Sequence, residues 1–254
     1  MDDDTRGMKA FTFSECRKII EINEGFSDDN IIYTDGELSD LPALKFLRHG
    51  NLKNKVSGCS FKIPCSTRGR MNFFLSSDQT HVRIGPYTRI IANFRLWRKP
   101  TVSIGSYVTI NSANFVADKS DIIVGSDCMF SDEILVQSSD QHGLWDIEQE
   151  VLLNGNRRAV TINDHVWVGR AVKIMPDVTI GAGTTLGTGS IVTKNIPPCS
   201  IAVGIPAKVV KSKTSWSRLP NTLNQREKSF FEQARKAHYW ADECKTDAQS
   251  APSP

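Results

Sequence analysis

From Ile162 to Ile196 the apolar positions recur with a strict period of six. Ile162, Val168, Ile174, Ile180, Leu186 and Val192 fall six apart without a gap, and four places later in each unit come Val166, Val172, Val178, Thr184, Ser190 and Ile196, all small or β-branched. Glycine follows the aliphatic residue at 169, 181 and 187. Neither the helical period nor the two-residue period of an ordinary strand persists through such a stretch. A triangular coil explains it: each unit is one short flat side, three units close a turn, and successive turns stack at the strand spacing of ~4.8 Å. The aliphatic residues then point into a narrow prism, where β-branched side chains pack on their counterparts above and below. The adjoining glycine is expected to serve a corner that needs φ > 0.

Upstream the same signature comes in pieces: Ile84-Gly85 with Thr88 and Ile90, Ile104-Gly105 with Val108 and Ile110, and Val124-Gly125 with Cys128, Phe130 and Val136. Ile104 and Val124 lie twenty apart, which predicts a small bulge near Ala117–Asp121. Gln137–Ala159 breaks the period with an excursion of about twenty residues rich in Ser, Asp, Gly and Asn, and protruding loops on rigid scaffolds commonly carry function.

Residues 1–80 show no repeat and are read as a segment capping the open edge of the prism, whose strand groups would otherwise be unpaired. Within it Phe11, Ile19, Ile20 and Ile22 suggest a short amphipathic helix, and residues 55–61 or 70–75 a strand or an irregular first coil. After Lys211 the pattern turns helical, with Leu223, Phe230, Phe231, Ala234 and Ala237 near one face. The expected organisation is a capping segment 1–80, a coil 81–211 interrupted at 137–159, and a helical tail 212–254.

Composition, 39% hydrophobic and 23% charged over 254 residues, is that of an ordinary soluble protein. The N-terminus Met1-Asp2-Asp3-Asp4 lacks the basic and apolar regions of a secretory signal, so a cytoplasmic location is the expectation. Six scattered cysteines show no zinc-site spacing and read as free buried thiols. The net charge of +3 is uneven: residues 1–40 carry eleven acids against four bases, and residues 208–240 eight bases against two acids. That basic end is either a solvated tail or a surface for an anionic partner, membrane surfaces included; no motif points to nucleic acid.

Of five histidines, His142 is the best candidate base, because it stands at the entrance of the long excursion among polar neighbours. Imidazole can take a proton from an alcohol and return it to a leaving thiolate. His49 and His81 lie in the unpatterned N-terminal part, His238 in the tail, and His165 one place before the inward Val166, where a structural role is expected.

Asp164-His165-Val166-Trp167-Val168-Gly169, the repeat after it, and the ending Ile201-Ala202-Val203-Gly204-Ile205-Pro206-Ala207-Lys208-Val209-Val210 resemble the hexapeptide-repeat acyltransferases, in the branch of galactoside, maltose, xenobiotic and capsular-polysaccharide (polysialic acid type) O-acetyltransferases. The resemblance covers residues 82–211. It implies a mainly β fold: a left-handed parallel β-helix (triangular prism) with an irregular α/β N-terminal segment and a C-terminal helix. Left-handedness rests on the resemblance alone, since parallel connections are ordinarily right-handed.

The resemblance further implies acetyl-CoA as acyl donor, a saccharide acceptor, a homotrimer with CoA between prisms, and no metal. Ser138-Ser139-Asp140-Gln141-His142-Gly143 is similar to the segment that bears the family's catalytic histidine. His142 would deprotonate the acceptor hydroxyl for direct attack on the thioester, with Asp140 or Asp146 orienting the ring. Trp167 takes the place of an active-site tryptophan. Asn114, Asp140 and Trp145 are expected at the acceptor, and Arg170, Thr188, Thr193, Lys194, Lys208 and Lys211 at CoA, where Lys and Arg suit phosphates. The family usually has a small residue at the place of Arg170. Rival readings on the same prism are N-acyl transfer to a nucleotide-linked amino sugar, a metal hydratase, which would need a histidine where Ile147 stands, and a non-catalytic solenoid.

Overall fold

The computed structural model describes residues 5–50 and 54–239. The chain winds as a left-handed parallel β-helix of three faces. On the first face Ile31–Thr34, Ser60–Lys62, His81–Ile84, Thr101–Ile104, Ser120–Val124, Arg158–Ile162 and Thr179–Ile180 stack in that order. Arg89–Trp97 and Thr109–Asp118 are long enough to cover the second and third faces together. Further on these faces separate, into Met129–Phe130, Trp167–Val168, Thr185–Leu186 and Ser200–Gly204 on the second, and Ile134–Gln137, Lys173–Ile174 and Ile191–Val192 on the third.

Parallel pairing runs back to Glu21–Ile22, so the coil begins well before Val82 and most of the segment read as a cap is coil. Closure of the open end falls to residues 9–16. Lys9–Thr12 pairs antiparallel with Ile31–Thr34. In place of the expected amphipathic helix there is a single turn, Phe13–Cys16, closed by a Thr12–Glu15 capping box. It seats Phe13 in the lumen against Phe26, Phe46 and Phe61, with centroids 4.8–6.0 Å away.

One interior column explains why the early turns lack the six-residue period. Phe46, Phe73, Phe94 and Phe115 stack face to face at 5.0, 4.9 and 5.0 Å, and the same column continues as Val136, Ile174 and Val192. From Phe73 to Phe115 the rings fill turns of 21 residues, and from Ile174 to Val192 aliphatic side chains fill a turn of 18. Outside the stack, Asn72 Nδ2 donates to Asn93 Oδ1 (2.9 Å) and Asn93 Nδ2 to Asn114 Oδ1 (3.1 Å), a ladder that fixes the register of the wide turns.

Two local expectations are corrected. The bulge lies at Asn111–Ser112, where the register shifts between Ile110 and Ala113, and not at 117–121. The glycines after the aliphatic residues do not supply positive φ; they admit the backbone of the next turn. A Cβ on Gly169 would sit 2.6 Å from Leu186 O, and one on Gly105 2.7 Å from the Gly125 carbonyl carbon. Positive φ falls two residues later, at Tyr87, Tyr107, Asp127 and Ala171. Gly105→Ala is therefore expected to cost about 1–3 kcal/mol through overpacking, read as a lower thermal midpoint.

The C-terminal segment packs on the corner between the first and second faces. His165 is 1% exposed, stacks on Trp216 at 4.5 Å and lies 4.6 Å from Phe230 of the helix Gln225–Lys236. Trp216 Nε1 donates to His165 O at 2.8 Å, and Arg218 bridges Asp127 and the carbonyl of Tyr107. Part of the basic excess of the tail is thus spent inside the molecule: Arg226 lies over the Tyr107 ring at 4.1 Å and, like Arg218, faces Asp127. Cys16, Cys59, Cys128 and Cys199 are free and buried, and burial pushes the Cys128 thiol up to about 12. Cys65 is only half-buried, and Cys244 lies outside the described residues. Among the described residues no helix is long and apolar enough to cross a membrane.

Candidate active site

The corner between the third and first faces carries the longest departure from the coil among the described residues. Successive turns place Arg98-Lys99, Lys119, the excursion 138–157, Met175–Asp177 and Thr193–Asn195 on it. The excursion is an antiparallel hairpin, Trp145–Asp146 paired with Val151–Leu152. Asp146 Oδ1 accepts from the backbone N–H groups of Glu148 (2.9 Å) and Gln149 (2.8 Å), which makes its tight turn.

His142 stands exposed at the base of this hairpin, on the rim of a cleft of about 150 Å³ whose walls include Arg98, Lys119, Asn154 and Arg158. Asn154 fastens the loop: its Nδ2 donates to His142 O (2.8 Å) and Asp140 Oδ2 (3.2 Å), and its Oδ1 accepts from Leu144 N (2.9 Å). Sequence reading missed Asn154, because a residue that braces one loop leaves no period. Neither carboxylate expected to orient the imidazole does so. Asp140 pairs with Arg158, which also grips Asp177 on the next turn, and Asp146 is engaged in its own turn. Trp145 is 62% exposed at the tip.

Other predicted residues lie elsewhere. Trp167 is on the second face, half-exposed, its ring tilted at 6.1 Å from Trp216. Asn114 is the last rung of the asparagine ladder and does not line the His142 cleft. Arg170 and Thr188 share the corner between the second and third faces, where Gly189 N bonds Arg170 O. Arg170 is bound to Asp132 (Nε to Oδ1, 2.7 Å). Thr193 and Lys194 share the His142 corner two turns on. Lys208 and Lys211 lie on the closing hairpin Ser200–Gly204/Ala207–Ser212. All six predicted CoA residues are exposed, and Lys194, Lys208 and Lys211 have no carboxylate partner among the described residues. A single chain therefore keeps His142 and Trp167 on different sides of the prism.

Residues 159–194 match the family described as bacterial transferase hexapeptide (six repeats). The chain is 36% identical over 139 residues to the polysialic acid O-acetyltransferase of Escherichia coli O1:K1 / APEC, covering 54% of this chain and 45% of that protein. It is 30% identical over 145 residues to the galactoside O-acetyltransferase of Escherichia coli (strain K12), covering 53% and 64%. It thus spans less than two thirds of either curated relative. The crystal structure of the polySia-specific acetyltransferase NeuO superposes with a TM-score of 0.68 at 27% identity, covering 82% of this chain and 99% of that one.

Proposed function

We propose that this chain transfers the acetyl group of acetyl-CoA to a hydroxyl of a saccharide, a surface or capsular polysaccharide, with His142 as general base. The observation that carries the reading is the placement of His142: the one long excursion between the described turns of the prism holds an exposed imidazole on a cleft, its backbone braced by Asn154. Similarity to two O-acetyltransferases supports the reaction type.

In the proposed step the imidazole removes the hydroxyl proton as the oxygen attacks the thioester carbonyl. The tetrahedral intermediate collapses with loss of the CoA thiolate, which takes the proton back from the imidazolium. Lys194, Lys208 and Lys211, without an ion pair among the described residues, suit the phosphates of CoA. Arg170 joins them only by leaving Asp132.

Assembly as a homotrimer completes the site in this reading, the His142 corner of one copy meeting the Trp167 face of the next. In support, the hairpin presents apolar surface to solvent, with Ile147 92% exposed and Trp145, Leu144, Val151 and Leu153 beside it; contiguous patches of this kind mark interfaces. Light scattering is expected to give three chains, and a monomer at assay concentration would undo the residue map. The compartment proposed is the cytoplasm, where acetyl-CoA is available.

The direct test is release of free thiol from acetyl-CoA in the presence of polysaccharide acceptors, polysialic acid among them, with acetyl gain read by mass spectrometry. Transfer to an amino-sugar nucleotide but to no hydroxyl would replace this reading with N-acylation. Asn154→Ala is expected to lower the rate about tenfold, the equivalent of ~1.4 kcal/mol in positioning, and to speed hydrogen exchange across 140–154 while leaving the thermal midpoint nearly unchanged.

A further inference from the structure

The corner that carries His142 is cationic for several turns before it reaches the loop. Gln79 N bonds Ser57 O (3.0 Å), Lys99 N bonds Ser77 Oγ (3.1 Å) and Lys119 N bonds Trp97 O (3.0 Å), so these positions stand one above another up to the excursion. A cleft of about 520 Å³ runs along them, walled by Lys55, Ser76, Asp78, Arg98, Lys99 and Lys119. Arg98 and Lys119 also wall the His142 cleft, so the two adjoin.

The cations differ in what neutralises them. Arg98 is held by Asp118 (Nη2 to Oδ2, 2.6 Å), and Arg158 by Asp140 and Asp177. Lys55, Lys99 and Lys119 have no carboxylate partner among the described residues. Lys119 Nζ reaches only Gly155 O, at 3.4 Å, and Asp78, the nearest acid on the wall, accepts from Ser57 N at 2.8 Å.

Resting on the transferase reading, we propose that this corner is an extended binding track for an anionic glycan chain, whose carboxylates meet Lys55, Lys99 and Lys119 while a hydroxyl further along is delivered to His142. Four coil steps separate the level of Ser57 from the excursion, about 19 Å at the strand spacing, so one sugar cannot span it and a chain of several residues can. Hydroxyl-reading groups, Ser76, Ser77 and Asn54, alternate with the cations. No Phe, Tyr or Trp side chain is among the described residues lining either cleft, whereas single-stranded nucleic acid is held by stacking platforms.

The test is fluorescence anisotropy of the full chain, without CoA, with four labelled probes: long polysialic acid, polygalacturonate, neutral dextran and an oligothymidylate. At least one anionic glycan is expected to bind, with an affinity that falls as salt rises, and dextran is not. Lys55→Glu/Lys99→Glu is expected to weaken that binding at least about tenfold, with an unchanged circular dichroism melt and unchanged thiol release on a dimeric acceptor too short for the track. Undiminished binding by the double variant, absence of salt dependence, or tighter binding of a labelled oligothymidylate than of either glycan would overturn the proposal. Binding without any transfer would leave the track standing and remove the transferase reading; transfer to the dimer with no binding of either polyanion would do the reverse.

Discussion

Replacing His142 by alanine is expected to reduce acceptor-dependent thiol release by about 10²–10⁴-fold, the usual contribution of one positioned general base. The imidazole is exposed, and among the described residues His142 is hydrogen-bonded only through its backbone, N–H to Asp140 O and C=O from Asn154 Nδ2, so the melt of the variant should match the parent. That separation makes the result interpretable: a loss of rate without a loss of stability belongs to chemistry. His142→Gln, which keeps polarity and removes the base, is expected to be as inactive. Transfer at the parental rate by either variant would remove His142 from the chemistry and make the excursion an assembly element only.

Legibility in the sequence followed the width of the prism. From Val160 to Val192 the turns have 18 residues and an aliphatic lumen, so the six-residue period stands out. Between Ser60 and Asp118 the turns have 20 or 21 residues, the earlier ones are longer still, and the lumen holds phenylalanine, so a search for hexapeptides finds only fragments. A signal was nonetheless present: Asn72-Phe73, Asn93-Phe94 and Asn114-Phe115 repeat the same dipeptide every 21 residues, asparagine outward in the ladder and phenylalanine inward in the stack. That repeat also gives Asn114 a structural occupation that the resemblance alone did not suggest. The histidine was readable because an interruption in a regular pattern is conspicuous. Its supports were not, because Asn154 and the Arg158–Asp140 pair are contacts made by folding, with no spacing to announce them. The same holds for Trp216, which meets His165 from 51 residues away.

That remote contact yields the largest expected stability effect. Asp127 is nearly buried and accepts from His165 Nδ1 (2.9 Å), while Arg218 donates to its other oxygen (Nη2, 3.2 Å) and Arg226 approaches. His165 Nε2 faces Trp216 O at 3.1 Å, so both ring nitrogens meet oxygen acceptors and the carboxylate is the charge that balances the cluster. Asp127→Ala would leave Arg218 and the ring without it, and breaking a buried pair from one side costs about 3–5 kcal/mol. The pH dependence has a definite sign. Burial alone would push the Asp127 carboxyl up, but the hydrogen bond from His165 and the charge of Arg218 outweigh it and hold the group below its ordinary value of 3.8. Its contribution is therefore complete above that value and is lost as pH falls below it toward the depressed folded value. The parent should lose stability in that acid window more steeply than Asp127→Ala, which has no such proton to bind. Because Trp216 also lies against Trp167, undocking of residues 214–236 would expose both indoles, and the expected readouts are a lower thermal midpoint, a red shift of tryptophan emission and faster proteolysis within that segment. Equal melts for parent and variant at neutral pH would mean that the helix is held by Phe230 and Phe231 packing alone, with the buried charges contributing nothing to its docking.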